Sequence, residues 1–131
     1  MNQDEIIRYC LSKPGAFMDY PFGPDVTTIK VKSEHSAARI FAQLFILGGT
    51  PKATFNCDVM TGEFFRSVYP GTVTRGYHCP PIQQPYFNTV TLNGIVPDDV
   101  LINMMDHAYS VVVAKLPKKY QKELEVVRDE T

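Results

Sequence analysis

The alternation of apolar and polar positions along the chain predicts four helices, two of them before residue 70. The first covers residues 3–12, where apolar positions repeat every three or four residues and Asn2 and Glu5 have the spacing of a capping box. The second follows Asp58, which is a favourable N-cap, and continues to about residue 69. Its expected buried face consists of Met60, Phe64, Phe65 and Val68.

Two more helices are predicted in the last third of the chain. The third begins at Pro97, and Asp98 and Asp99 suit the positive end of a helix dipole. Its apolar stripe consists of Leu101, Met104, Met105, Ala108, Val111 and Val112. Because Pro117 interrupts the pattern, we expect a separate last helix from residue 117 or 118 to about residue 127. Its inner positions are Tyr120, Leu124 and Val127.

Strand patterns lie between and after the first two helices. Residues 27–32 and 52–57 alternate, and residues 39–47 are almost continuously apolar, which predicts three strands. Their connections are short, which favours an antiparallel meander. Residues 87–92 predict another strand, and residues 72–78 hold a short one. Helices and strands in this order are typical of the α+β class, and a length of 131 residues suits a single domain.

Composition narrows the function classes. The formal net charge of −1 argues against a strongly basic nucleic-acid binder, although it is compatible with a local basic face. Three cysteines with no CxxC spacing indicate reduced thiols rather than a disulfide framework. The N-terminus lacks the basic flank of a signal peptide, and the longest apolar run, residues 41–47, is too short to cross a bilayer. We therefore expect a cytoplasmic protein without a membrane partner.

The stretch from residue 69 to residue 90 holds the strongest candidate binding residues. Arg75, Tyr77 and His78 precede a proline-rich loop, and Asn88 lies on the strand that follows it. Arginine holds phosphate through two hydrogen bonds, and tyrosine and histidine stack on bases or donate to phosphate. The alternative is that Tyr77 and His78 pack the loop onto the body of the domain. Loops commonly carry binding residues, so both interpretations stay open.

A second candidate is the basic cluster formed by Lys115, Lys118, Lys119 and Lys122. At helical spacing these four side chains can share one face across the Pro117 junction. Such a face suits contacts with nucleic-acid phosphates. The alternative is a solvated helix surface, and Glu123 begins an acidic segment that dilutes the positive charge.

The cysteine, histidine and acidic residues do not have the spacing of a catalytic or metal site. Zinc needs three or four ligands, and adjacent residues such as His78 and Cys79 rarely share one ion. Cys10 lies on the apolar face of the first helix, and Asp106 and His107 point about 100° apart on the third. None of the common catalytic or nucleotide-binding motifs occurs. We therefore expect a protein that is not an enzyme and has no cofactor or metal.

Four segments, in order along the chain, resemble the MmcQ/YjbR family of small bacterial proteins: CLSKPGAFMDYPFGPDV, YPGTVTRGYH, FNTVTLNGIVPDDVL and DHAYSVVVAKLPKK. The resemblance implies a fold like that of CyaY, the bacterial frataxin, in which helices pack on one side of an antiparallel sheet in a double-wing arrangement. Family members are labelled DNA-binding. The leading hypothesis is therefore sequence-independent DNA binding through Arg75, Tyr77, His78, Asn88 and the basic cluster.

The loop between residues 79 and 87 departs from the family pattern. Relatives commonly carry basic residues and a tryptophan there, whereas this chain has no lysine and places Phe87 at the tryptophan position. This departure favours the alternative of a protein-interaction or small-ligand module that uses residues 76–88 and the neighbouring sheet face. A cleft would support it if it were lined by Tyr77, His78, Tyr86 and Asn88. Iron handling, by analogy with frataxin, is least favoured because the first helix offers only Asp4 and Glu5 as acids.

Overall fold

The computed structural model describes residues 1–76 and 79–130, with side chains described as far as Glu125. Within these residues the centre is a six-stranded sheet in which neighbouring strands are antiparallel. In chain order the strands are β1 (Ala16–Asp19), β2 (Thr27–Val31), β3 (Arg39–Leu47), β4 (Thr50–Asn56), β5 (Val73–Arg75) and β6 (Phe87–Thr91). In space the order is β1-β2-β3-β4-β6-β5, so β1 and β5 form the two edges.

Four helices in the described part of the chain pack on one face of this sheet: α1 (Gln3–Leu11), α2 (Val59–Val68), α3 (Asp98–Ala114) and α4 (Lys118–Glu130). The predicted capping box begins α1, because the Asn2 side chain accepts from the Glu5 amide and the Glu5 side chain accepts from the Asn2 amide. The predicted α+β class, with helices on one side of an antiparallel sheet, is confirmed. None of the described helices is long and apolar enough to cross a membrane.

The core lies between the helices and the sheet. Helices α1 and α3 and the strands β2, β3, β4 and β6 contribute side chains that are almost completely buried, among them Ile6, Cys10, Ile29, Val31, Phe41, Phe55, Val90, Met105 and Val112. Burial of an aliphatic or aromatic side chain contributes about 1.5–3 kcal/mol. The predicted core position of Cys10 and the apolar stripe of α3 are confirmed, while Val111 is only half-buried.

The sequence pattern missed β1. Four residues are too few to establish an alternation, and Phe17 and Met18 remain partly exposed. The strand forms because Gly15 turns the chain with a φ of +78° and Ala16 then pairs with Val31 of β2. A Cβ at Gly15 would lie 2.5 Å from the Lys32 carbonyl oxygen, so the close approach of these two segments requires glycine.

The predicted buried face of α2 is wrong. Three of the four expected residues face solvent, with exposed fractions of 83%, 59% and 47% for Met60, Phe64 and Val68. The face that packs inwards carries Gly62, Phe65, Arg66 and Tyr69. Gly62 allows the helix to approach closely, since a Cβ there would lie 2.8 Å from Cys57 Sγ. Close backbone approach at Gly62, together with the packing of Phe65 and Tyr69 on the core, therefore orients this helix.

Candidate ligand-binding site

A row of polar side chains crosses the sheet on the face without helices. The antiparallel register places one residue from each strand side by side, in the order Asp19, Thr28, Gln43, Thr54, Thr89 and Thr74. Directly opposed residues on one face have Cβ atoms about 5 Å apart. These side chains point away from the helices because their strand neighbours, such as Ile29, Ala53 and Val90, are buried in the core. We refer to this set as the polar row.

A β-bulge in β3 adds an apolar residue to the same face. The register of β2 and β3 shifts at Phe41, which has no partner in β2. A bulge interrupts the strict alternation of side chains along a strand. Phe41 therefore enters the core, and Ile40 shares the helix-free face with Gln43.

Two loops stand over this face and leave a cleft of about 510 Å³, which we call the sheet cleft. Its floor consists of Ile40, Gln43 and Thr54, from the central strands β3 and β4. One wall, from the segment before β2, consists of Phe22 and Val26. The other wall, from the segment that leads into β6, consists of Cys79, Pro80, Gln83 and Phe87. Small-molecule sites typically have volumes of about 300–1,000 Å³ and a mainly apolar lining with a few polar groups.

Hydrogen bonds within the protein satisfy the polar row only in part. The hydroxyl oxygens of Thr54 and Thr89 share a hydrogen bond of 2.9 Å. Thr28 is fully buried, and its Oγ1 has no hydrogen-bond partner among the described residues. The Gln43 side chain, between Thr28 and Thr54 in the row, likewise makes no hydrogen bond to the described residues. Among the described residues, two adjacent positions of the row therefore keep unused hydrogen-bonding capacity.

Two lysines on the helix-free face, Lys30 and Lys52, are engaged by neighbouring groups. Lys30 Nζ lies 2.8 Å from Asp19 Oδ2, and Lys52 Nζ donates a 2.7 Å hydrogen bond to Thr91 Oγ1. The hydrogen bond from Lys30 holds the pKa of Asp19 below its usual range. The described residues that line the sheet cleft carry no charged side chain. The part of the cleft that the described residues form is therefore uncharged.

Cys79 places a thiol in the wall of the sheet cleft. Its Sγ packs closely on Gly76, where an added Cβ would clash with it. Burial raises the pKa of the Cys79 thiol, so the neutral form is favoured. Cys10 and Cys57 are buried more deeply, which raises their pKa values to about 12 and about 11. Of the three free cysteines, Cys79 is the most accessible.

Two of the binding residues that the sequence suggested around the loop, Arg75 and Asn88, occupy opposed positions of β5 and β6 but have different surroundings. Asn88 is 3% exposed, and its Oδ1 accepts a 2.6 Å hydrogen bond from Arg66 while its Nδ2 donates to a backbone carbonyl of α2. Arg75, its partner in β5, is exposed. Tyr77 and His78 lie outside the described residues. The polar atoms of Asn88 therefore serve the packing of α2 on β6, and Asn88 faces the helices rather than the sheet cleft.

The predicted basic cluster is exposed at all four positions, Lys115, Lys118, Lys119 and Lys122. The α4 helix, which carries three of them, lies beside the β1–β2 side of the sheet. There Leu124 approaches Gly15, and Glu123 Oε1 lies 3.1 Å from His35 Nδ1. Arg75 lies on β5 at the opposite edge of the sheet, five strand spacings or about 24 Å from β1. Arg75 and the α4 lysines therefore do not converge on one small site.

Asp106 and His107 are adjacent on α3 but contact different neighbours. Asp106 Oδ1 accepts a 2.6 Å hydrogen bond from the Tyr9 hydroxyl and lies 2.6 Å from Lys13 Nζ. His107 Nε2 accepts a 3.2 Å hydrogen bond from the Asp58 amide. In the described ranges, no group of three or more His, Cys, Asp or Glu residues is placed to hold a metal ion.

Comparison with known proteins gives consistent matches over most of the chain. The YjbR family model matches residues 11–111. The protein YjbR of Escherichia coli strain K12 is 26% identical over 122 residues, which cover 93% of this chain and 96% of that protein. The crystal structure of protein DR2400 from Deinococcus radiodurans, with a DUF419 domain, has a TM-score of 0.83 and 27% identity, covering 95% of this chain and 88% of that one. A crystal structure from Pseudomonas syringae shares the fold, with a TM-score of 0.67 and 17% identity, covering 86% of this chain and 99% of that one.

Proposed function

The chain belongs to the YjbR family, and we propose that it is a non-enzymatic module that binds a small molecule in the sheet cleft. The observation that carries this proposal is the cleft itself, with a volume of about 510 Å³ and apolar walls around the Gln43 and Thr54 side chains. Ligand sites combine such walls with a few polar groups that fix orientation. One wall is the loop that departs from the family pattern, which suits a ligand specific to this protein.

The chemistry of the lining supports binding without catalysis. A catalytic thiol needs a lowered pKa, whereas burial raises the pKa of Cys79. The Thr54 hydroxyl shares its hydrogen bond with the Thr89 hydroxyl, which is not a general base. The lining groups therefore suit the orientation of a ligand better than its conversion.

Thermal unfolding in the presence of aromatic fragments tests this function. A fragment at tenfold its Kd stabilises the folded state by about 1.4 kcal/mol, which raises Tm by about 4–5 °C in a domain of this size. Gln83→Trp obstructs the cleft from an exposed wall position and should abolish the shift. Ile82→Trp, at a neighbouring position that is 83% exposed and outside the lining, should retain it. Shifts that are equal in the two variants, or absent with every fragment, would refute the proposal.

A second candidate function is sequence-independent DNA binding, favoured by the four exposed lysines between residues 115 and 122. A mobility-shift titration in about 50 mM salt should then show micromolar affinity that falls steeply as salt rises, because phosphate contacts release counterions. Replacement of Lys118, Lys119 and Lys122 by Gln should reduce the salt dependence, whereas Arg75→Gln on the opposite edge should change it little. A duplex that does not shift at that salt concentration would eliminate this candidate.

We infer that the protein works in the cytoplasm. Cys10, Cys57 and Cys79 are all free thiols, and reducing compartments keep thiols in that state. Fractionation of cells that express the protein should place it with cytoplasmic markers, and recovery with the membrane or secreted fraction would contradict this location.

A further inference from the structure

We propose that the ligand of the sheet cleft is an uncharged, planar molecule with an amide-like hydrogen-bonding group, such as an aromatic or heteroaromatic carboxamide. This inference rests on the proposed function and names the ligand class for the same cleft. It is carried by three independent properties of the described residues: the charge of the lining, the rings in the walls and the unused hydrogen-bonding groups of the polar row.

The charge balance of the helix-free face favours an uncharged ligand. The described lining residues carry no charge, and Lys30 on the same face is paired with Asp19 at 2.8 Å. Lys52 is engaged by the Thr91 hydroxyl. An ion that entered the cleft would lose water without gaining a counter-ion, which is costly. We therefore expect anions and cations to bind at least about tenfold more weakly than a neutral molecule of the same shape.

The walls of the cleft favour a planar ligand. Phe22 stands in one wall and Phe87 in the other, above a floor that includes Ile40. Aromatic rings make favourable offset-stacked or edge-to-face contacts with a second ring, at centroid distances of about 4.5–7 Å. A flat ring between the two walls can make such contacts on both sides.

The polar row favours a ligand that both donates and accepts hydrogen bonds. The Gln43 amide offers two N–H donors and an oxygen acceptor, and it makes no hydrogen bond to the described residues. Thr28, its neighbour in the row, is fully buried, and its Oγ1 has no partner in the part of the chain that the structure describes. Since buried polar groups are normally paired, the Gln43 amide can pair with the Thr28 hydroxyl on one side and with a ligand amide on the other.

Four planar probes of similar size separate the effect of charge from that of the hydrogen-bonding group: benzamide, benzoate, benzamidinium and toluene. Binding is measured as protection of Cys79 from modification by methyl methanethiosulfonate, followed by intact mass. Cys10 and Cys57 are internal controls because they are 0% and 4% exposed. We expect benzamide to protect Cys79 at concentrations on the order of 1 mM, with benzoate and benzamidinium at least about tenfold weaker.

The outcomes distinguish this inference from the proposed function. Protection by benzoate or benzamidinium at the level of benzamide overturns the uncharged class, and equal protection by toluene overturns the hydrogen-bonding group. In either case the cleft still binds a small molecule, so the proposed function stands. If none of the four probes protects Cys79, the inference fails, and the thermal test with the wider fragment set decides the proposed function separately.

Gln43→Leu tests the hydrogen-bonding group directly. The variant keeps the approximate volume of the side chain and removes the amide, so protection by benzamide should weaken by roughly tenfold. Protection by toluene should persist, which also verifies that the cleft still forms. Asn103→Leu, which removes an exposed amide from α3, is the matched control and should change neither response. Unchanged protection by benzamide in Gln43→Leu would overturn the assigned role of this amide.

Discussion

Arg66 Nη1 donates a 2.6 Å hydrogen bond to Asn88 Oδ1 and thereby joins α2 to β6. Asn88 is 3% exposed, and Arg66 Nη2 is also buried, without a hydrogen-bond partner in the described part of the chain. A buried guanidinium that loses its acceptor costs more than a broken hydrogen bond between neutral groups. The contact therefore contributes strongly to the position of α2 on the sheet.

Asn88→Ala should lower the free energy of unfolding by about 2–3 kcal/mol, because it removes the acceptor of Arg66 and the donor to the Gly62 carbonyl. Urea denaturation measures this change. Arg75→Ala, at the exposed partner position in β5, is the control and should stay within about 0.5 kcal/mol of the wild type. A similar loss in both variants would contradict the structural role of Asn88.

Gly62→Ala should destabilise the protein by about 1–3 kcal/mol, although alanine favours a helix by about 1 kcal/mol over glycine. The new Cβ would lie 2.8 Å from Cys57 Sγ and 2.9 Å from Arg66 Nη1. Ser67→Ala, at an exposed position of the same helix, should be nearly neutral. Thermal denaturation compares the two variants, and a rise in Tm for Gly62→Ala would show that the close approach at this position is absent.

Phe64→Glu should leave the stability within about 0.5 kcal/mol of the wild type, because the side chain is 59% exposed. Phe65→Ala should cost about 2–3 kcal/mol, since Phe65 packs against the core. Helical periodicity alone places Phe64 and Phe65 on the same buried face and so predicts similar losses of stability for the two variants. The structure predicts a loss only for Phe65→Ala. A large loss for Phe64→Glu would place the exposed stripe of α2 against the body of the protein.

The contacts of Asp106 predict a pH dependence of stability. Burial alone would raise the pKa of Asp106, but hydrogen bonds from Lys13 and Tyr9 hold it below its usual range. The folded state therefore binds fewer protons at this carboxylate than the unfolded state does. Its contribution is complete above the unfolded pKa of about 4 and is lost as the pH falls through the lower folded value.

Lys13 makes the stability depend on pH in the alkaline range. Burial opposes its charge, but the hydrogen bond to Asp106 and the neighbouring negative charge raise its pKa overall. This contribution is present below the unfolded pKa of about 10.4 and is lost as the pH rises through the folded value. Asp106→Asn should reduce the pH dependence of the free energy of unfolding at both the acidic and the alkaline end. Urea denaturation across the pH range measures this change.

The expected size of this effect is less than about 1 kcal/mol, because the Asp106 side chain is 47% exposed and solvent screens the pair. Asn103→Ala, which changes an exposed and uncharged side chain of the same helix, is the control and should keep the wild-type pH profile. A wild-type profile in Asp106→Asn would show that the pair contributes nothing to stability.

Helical periodicity predicted α3 well because one continuous stripe, from Leu101 to Val112, decides which face is buried. The same reasoning failed for α2, where close approach at Gly62 and a polar contact at Arg66 set the inner face. The sequence pattern did not predict β1, because its four residues form a strand only through their pairing with β2. Local sequence patterns thus predict which segments form helices and strands. How a short or amphipathic element packs depends on residues that are distant in the sequence.

The sheet cleft could be predicted only in part. Thr28 and Thr54 occupy the polar positions of predicted strands, so their shared outward direction is visible in the sequence. Their alignment with Gln43 is not, because it depends on the strand register and on the bulge at Phe41. Three residues of the segment named in the ligand-module hypothesis, residues 76–88, line the cleft from its loop: Cys79, Pro80 and Gln83. Of the last two residues of this segment, Phe87 faces the cleft and Asn88 faces the helices.

The most direct test of the central claim is an amide-resolved NMR titration with uncharged aromatic fragments. The account predicts saturable shifts at Gln43, Thr54, Gln83 and Phe87, which surround the sheet cleft, and none at Lys118 or Lys122 of α4. Saturable shifts confined to α4, or no saturable shift with any uncharged fragment, would contradict the claim that this protein binds a small molecule on the helix-free face of its sheet.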